Sequence, residues 1–523
     1  MVRVRNNLLI MTGLFISGIN SSWATSISNP SSNSNQTRQA NIYLSQANQR
    51  VVYELNHPAY LSLPSSKKEV LVRTYQKIKL NQLENILIKN NPTIKIYSEK
   101  IDQAKSLLKN SLSFWYPNLN LTANGIPQYL ESNNYYDSIP DTSSKQWSSS
   151  ISAQIQWDIV NPARIPEIAA ARDSLEKAKY SYSIIMKDIQ LEAKKRYFNL
   201  QKANEEIKVA EKSIESSTIG LKDAETRFNA GIGTKLEILE ARTQLARDQQ
   251  LLNTKKSEQK IGQRSLAEIL NLPEDVTPII DSKTQLIGIW NTSLEESIIS
   301  AYSKREELNN ILLDISISNS DANSALASGQ PKISIVNTFT STFNKGELNK
   351  VSPNTNNESS VFSNTVGLNA SWYIFDGGSS KSLYKFNKSK SKEAKINFAK
   401  KRASIRKEVE EVFFKLESAK LNISASHSEV LSAEESLRLA NLRYKSGITT
   451  QREIVNHQRD FTDSKVRYIV AVTDYNILLV DLSRKTGLDN IQPCEIKINE
   501  KDSPSRENLN SISDSNSPHL CQP

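Results

Sequence analysis

The side chains from which proteins build catalytic and metal centres are almost missing here. The 523 residues hold four histidines and two cysteines. His57, His427, His457 and His519 lie far apart, and Cys494 and Cys521 sit near the end, so no metal-ligand spacing is present. No nucleophile elbow, P-loop or dinucleotide fingerprint occurs either. Neither an enzyme nor a cofactor or metal is expected. What recurs at a fixed spacing is of another kind. Arg227-Phe228-Asn229-Ala230-Gly231-Ile232-Gly233-Thr234 returns as Arg443-Tyr444-Lys445-Ser446-Gly447-Ile448-Thr449-Thr450, 216 positions on.

The elements that carry these two motifs are long helices. From Ile405 through Val409, Val412, Leu416, Ala419 and Ile423 to Tyr444 and Gly447, seam positions follow a 4,3 spacing. The same spacing runs from Ile189 to Gly231 in the first copy, where only Arg196 breaks it. A seam held in register in this way is a coiled-coil signature. Ser379 to Ser446 has neither Gly nor Pro, and such a stretch of helix spans about 100 Å; Glu167 to Ile219 would span about 80 Å. Each rod is followed by its Gly motif and a second periodic run, Lys235 to Leu270 or Gln451 to Thr486, which predicts hairpins.

Strands are expected before each rod. Residues at about 117–124 and 148–159 alternate apolar with Ser, Thr, Asn or Gln, and so do those at about 332–343 and 362–375. One apolar and one polar face is the pattern of a β-barrel between lipid and a wet lumen. Four strands cannot close on themselves, and an open edge in hydrocarbon leaves backbone groups unpaired, so the barrel must be shared between chains. The polar stretches Ile126 to Gln146 and Asn344 to Ser360 are expected to be loops on the outer side.

The start of the chain fixes the compartment. Arg3 and Arg5, the apolar run Leu8 to Ile19, and Ser22-Trp23-Ala24 compose a secretory signal over 1–24. Its removal takes the formal net charge from +10 to +8, and export takes most of the weight from nucleic-acid binding as an explanation of that charge. Residues 25–75 form a polar, flexible segment, and 491–523 a flexible tail in which a disulfide between Cys494 and Cys521 would be a minor feature. Between them lie two repeats, at 76–285 and 286–490.

The two RF/RY-x-x-G motifs, the strand endings Trp157-Asp158-Ile159 and Tyr373-Ile374-Phe375-Asp376-Gly377-Gly378, and the duplicated order together resemble the outer-membrane efflux protein family of TolC-like channels. The resemblance covers about residues 76 to 490. It implies a mainly α fold with membrane β: a duplicated strand-strand-helix-helix unit in a homotrimer, with a 12-stranded barrel and long coiled-coil helices forming a periplasmic tunnel. It further implies an outer-membrane location extending into the periplasm, a periplasmic adaptor and an inner-membrane pump or ABC transporter as partners, and a role as the exit duct of an efflux pump or of type I secretion. A non-pore periplasm-spanning helical adaptor or structural envelope protein is the alternative; the alternating strands argue against it.

Carried onto this sequence, the family's acidic constriction at the periplasmic tip falls on Glu453 and Asn456, of which only the first keeps a carboxylate. Its gate link falls on Tyr444 and Glu237, and the Arg of another such link is Thr449 here. Gly231, Thr234, Gly447 and Thr450 mark the repeat turns. The same residues also suit ordinary roles, Glu453 and Glu237 as solvated helix positions and Tyr444 as a packing member of the seam.

Overall fold

The chain runs twice through one order of elements: a pair of shorter helices, a β-hairpin and a pair of long helices. The computed structural model describes residues 71, 74–138, 141–348 and 357–493, so the expected signal segment and both cysteines lie outside the described residues. The first passage begins with β1 (Thr74–Lys77), α1 (Leu83–Asn90) and α2 (Pro92–Ser113). The hairpin of β2 (Asn118–Asn134) and β3 (Thr142–Val160) follows, then the rods α3 (Arg164–Asn229) and α4 (Lys235–Leu270). Short strands β4 (Val276–Ile279) and β5 (Ile289–Trp290) lead into the second passage. It comprises α5 (Leu294–Lys304), α6 (Glu306–Ala327), β6 (Lys332–Leu348), β7 (Asn357–Ser371), α7 (Ser379–Lys445), α8 (Gln451–Thr486) and a last short strand, β8 (Ile491–Gln492).

The unit is therefore helix-helix-strand-strand-helix-helix, longer by one helix pair than the sequence pattern predicts. The start signals of the added helices are local. Asn91 caps α2 by accepting from the backbone N–H groups of Thr93 (2.9 Å) and Ile94 (3.1 Å), with Pro92 at the first position. Ser293 and Glu296 cap α5 reciprocally. The first rod also runs further than expected, 66 residues from Arg164 to Asn229, while α7, with 67, keeps the expected span to within one residue. Pro166 falls in the first turn of α3, where its missing N–H has no intrahelical partner to lose. Gly220 costs the helix only about 1 kcal/mol, too little to end it.

All four long strands pair antiparallel in one sheet of order β2-β3-β6-β7. The two hairpins join through β3 and β6, with Ser152 opposite Thr340 and Ile155 opposite Asn337. The strands extend well into the stretches expected as loops. There polar residues prevail on both faces and the period-2 signal fades, yet the ladder continues with Glu131 opposite Lys145 and Lys345 opposite Glu358, paired at 3.0 and 2.5 Å. At the other end β7 stops at Ser371, short of the expected 375. Trp372 turns away to donate to the carbonyl of Gly329 (3.1 Å), and the Asp376 carboxylate accepts from the N–H groups of Gly378 and Ser380, each at 2.8 Å, which starts α7.

The core lies where the helix pairs meet, away from the sheet. One cluster gathers Leu83, Leu87, Phe198, Leu200, Leu266 and Leu270, the other Ile405, Val409, Leu416, Tyr475, Leu479 and Leu482. The seam-breaking Arg196 is satisfied by Glu192 (3.0 Å), Glu268 (2.9 Å) and the carbonyl of Ser265 (2.6 Å). Two-stranded pairings wrap this level, β1 parallel to β4 and β5 antiparallel to β8. They draw Thr74, Tyr75, Ile491 and Gln492 out of the segments expected to be flexible, because their partners lie some 200 residues away in the chain and leave no local mark.

Candidate pore wall and periplasmic tip

The pleat sorts the sheet into two unlike faces. Leu119, Leu121, Ile151, Ile155, Ile335, Phe339, Val366 and Leu368 share one face across the four strands. All but the half-buried Ile335 are exposed in the single chain, Leu121 at 71% and Leu368 at 76%. Asn120, Thr122, Ser150, Ser152, Gln154, Thr338, Thr340 and Thr365 occupy the other face, where the Ser152 and Thr340 hydroxyls bond at 3.2 Å. Aromatic residues bound the apolar band. At one end the Tyr129 and Trp147 rings meet tilted at 5.3 Å; at the other Trp115, Tyr116, Trp157, Trp372, Tyr373 and Phe375 stand at or near the strand ends, where Trp157 donates to the carbonyl of Trp115 (3.0 Å). Trp147 and Trp157 are ten residues apart on β3, about 33 Å along a strand, or roughly 25 Å of height at the usual barrel tilt. That is the thickness of an outer-membrane apolar band. Arg164, buried where β3 turns into α3, fixes the junction by donating to the carbonyl of Asp158 and lying over the Trp115 ring at 4.4 Å. Among the described residues no helix is long and apolar enough to cross a membrane.

At the far ends of the rods the two Gly motifs fold into the same kind of turn. Ile232 and Gly233 N–H groups reach back to the carbonyl of Arg227, and Gly231 to Phe228; Ile448 reaches Arg443, and Gly447 reaches Tyr444. These are Schellman turns, and they place Gly231 at φ 74° and Gly447 at φ 73°, a region L side chains avoid. Thr234 then caps α4 by accepting from the N–H of Glu237 (3.3 Å), whereas the Thr450 side chain makes no such bond at α8.

The side chains around the two turns differ. Glu453 is held within its own hairpin, accepting from Arg443 (2.8 Å) and from the hydroxyl of Thr449. Thr449 thus supports the acid where the family pattern has an Arg. Asn456 is exposed one turn further along α8. Tyr444 is 7% exposed, and its hydroxyl has no hydrogen-bond partner. Burial pushes its phenol above the ordinary value; the Arg227 guanidinium opposes this, and the Glu237 carboxylate adds to it. Tyr444 and Glu237 are thus brought close enough to sense each other's charge, but the hydrogen bond implied by the resemblance is not made within the chain. Arg227 lies over the Tyr444 ring instead, 4.6 Å from its centroid. Arg452 joins the hairpins by pairing with Glu240 at 2.6 Å. Arg227 and Arg443 stand in the quoted motifs, so their presence was legible; which acid or ring each reaches was not. Higher up, the hairpins meet through polar groups, Ser213 facing Thr462 at 3.1 Å and Ser216 donating to Gln458 at 2.9 Å. Within the first hairpin, buried Asp248 accepts from Ser217 and from Gln244 (3.0 Å).

An amphipathic sheet continued by helical rods defines an outer-membrane channel with a periplasmic extension. The model of the outer membrane efflux protein family matches residues 83–272 and 298–488, and the chain belongs to that family. No curated protein matches it. Among solved structures it is similar to the outer membrane protein VceC of Vibrio cholerae, at 13% identity and TM-score 0.65 over 78% of this chain and 96% of that one. It is also similar to the CmeC outer membrane channel of Campylobacter jejuni, at 16% identity and TM-score 0.64 over 82% and 93%. The open state of the MtrE outer membrane channel of Neisseria gonorrhoeae matches at 15% identity and TM-score 0.60, over 78% and 89%. At these identities the likeness is one of fold.

Proposed function

We propose that three copies of this chain form the exit duct of an efflux assembly, carrying substrates from periplasm or cytosol across the outer membrane. The observation that carries this reading is the four-stranded sheet with one apolar and one polar face and with both outer edges, on β2 and β7, unpaired among the described residues of the single chain. In hydrocarbon such edges cost several kcal/mol per unpaired backbone group, which pairing with neighbouring copies removes. Three copies supply twelve strands. The rods continue the wall into the periplasm, where a periplasmic adaptor and an inner-membrane pump dock, and small-molecule efflux and type I protein export share this architecture.

The tip is the constriction in this reading. Three copies of Glu453 around a narrow opening favour cations, and neutral Asn456 leaves their field weaker than a double acidic ring. Chemical crosslinking in native membranes should yield a ladder ending at three copies, and a stable pore-forming monomer would sink the proposal. In planar bilayers Glu453→Gln should lower cation selectivity, and Asn456→Asp should strengthen block by divalent cations. Unchanged selectivity in both places the constriction elsewhere.

A further inference from the structure

The last turns of α3 and α7 meet at the tip through Arg227 and Tyr444. Three polar atoms there are shut off from solvent without a hydrogen-bond partner: the Tyr444 hydroxyl, Arg227 Nε and Glu237 Oε2. A bond from the Tyr444 hydroxyl to Glu237 would satisfy two of them together, and it is not made. The contact that is made is between the guanidinium and the ring face, at 4.6 Å. A planar cation over an aromatic face gains from the ring quadrupole, and gains more as the pair is withdrawn from water; here the ring is buried, and the half-buried Arg227 has its Nε shut off. The second turn offers no counterpart. Phe228, at the position equivalent to Tyr444, is exposed, and Arg443 is taken up by Glu453. One cation–ring contact therefore crosses between the repeats, and it runs from the first to the second.

We propose that Arg227 is a positioning residue of the gate, which holds the two hairpins of each chain together at the tip through the ring of Tyr444 rather than through its hydroxyl. The inference rests on reading the tip as the constriction. It separates the ring from the hydroxyl, and substitutions at position 444 move the gate in opposite directions. Tyr444→Leu removes the ring and opens the tip. Tyr444→Phe keeps the ring, removes an unpaired buried hydroxyl and closes it further.

The test uses full-length protein in planar bilayers, with oligomer retention and thermal midpoint measured for every variant to set aside misfolding. Arg227→Gln and Tyr444→Leu should each raise the open-to-closed ratio roughly 3- to 30-fold, the span of such a contact. Arg227→Lys, which keeps the charge, should raise it less, and the double variant Arg227→Gln with Tyr444→Leu no more than the larger single one. A lower open fraction in Tyr444→Phe completes the expected pattern. Opening by Tyr444→Phe as large as by Tyr444→Leu would assign the role to the hydroxyl and overturn the proposal, as would a silent Arg227→Gln. If Arg227→Gln is silent while Glu453→Gln still shifts selectivity, only the latch is wrong. If neither has an effect, the reading of the tip as the constriction falls with it.

Discussion

The level where the short strands wrap the helices and the level of the tip turns are built from the same four rods, yet they are held in opposite ways. At the first, leucines and aromatics fill the seam and the ions that are buried are all paired. Arg305, 3% exposed between α5 and α6, donates to Glu307 (2.9 Å) and Glu408 (2.8 Å). Lys485 (3.1 Å) and Ser404 (2.9 Å) also reach Glu408, and Arg484 bridges Glu307 (3.0 Å) to Asp188 (2.8 Å) on α3. At the tip the seam turns polar, and buried donors and acceptors stand unpaired. A region whose charge network is closed, with only Glu306 Oε2 and Thr284 Oγ1 left over among the described residues, holds one arrangement; one whose facing Arg, Tyr and Glu are all orphaned has something to gain from another. The difference divides a fixed collar from a movable end.

The largest effect should come from breaking the collar. Arg305→Ala removes a buried cation and leaves two half-buried carboxylates short of their main partner, and should cost about 3 kcal/mol, read as a fall in the thermal midpoint of the purified protein. A cost below about 1 kcal/mol would mean that Lys485 and Arg484 hold the acids unaided. Acid should act on the same place. The cations beside them outweigh burial and hold the Glu307 and Glu408 carboxyls at about 2, below the ordinary 4.5. Folded values lower than unfolded ones contribute stability that is fully present above about 4.5 and lost as pH falls toward 2. The thermal midpoint should therefore drop through that window, and Glu307→Gln with Glu408→Gln should flatten the decline at the cost of stability at pH 7.

The smallest effect belongs to the tip. At Gly447 an added Cβ meets nothing within 4 Å, so Gly447→Ala costs only its left-handed conformation, about 1 kcal/mol. The thermal midpoint should barely move, while protease cleavage at the turn should become faster. If the midpoint falls as far as in Arg305→Ala, the contrast between collar and tip is wrong.

Much of this architecture was legible in the residues alone. The 4,3 seam from Ile405 to Ile423 is buried as its spacing predicts, because helix period and apolar spacing are one local geometry. Strand faces around Ile151 and Leu368 follow from alternation in the same way, and the turns at Gly231 and Gly447 from the need for a left-handed residue after a helix. The helix pairs before each hairpin were signalled by Asn91-Pro92 and by Ser293 with Glu296, signs outweighed by the longer rods beside them.

What the tertiary structure alone decided is partnership. That Arg227 lies on Tyr444 while Arg443 takes Glu453, that Phe228 is exposed where Tyr444 is buried, and that Thr74 pairs beside Val276 all depend on distances between residues remote in sequence. The strand ends are of the same kind. Beyond Trp147 only isolated apolar residues such as Leu130 occur, with no alternation to mark which face is which, and the hydrogen-bonded neighbour keeps the backbone extended. Local pattern fixes periodicity and turns because each is set within a few residues, whereas a cation's choice of ring or carboxylate is settled by which element the fold brings against it.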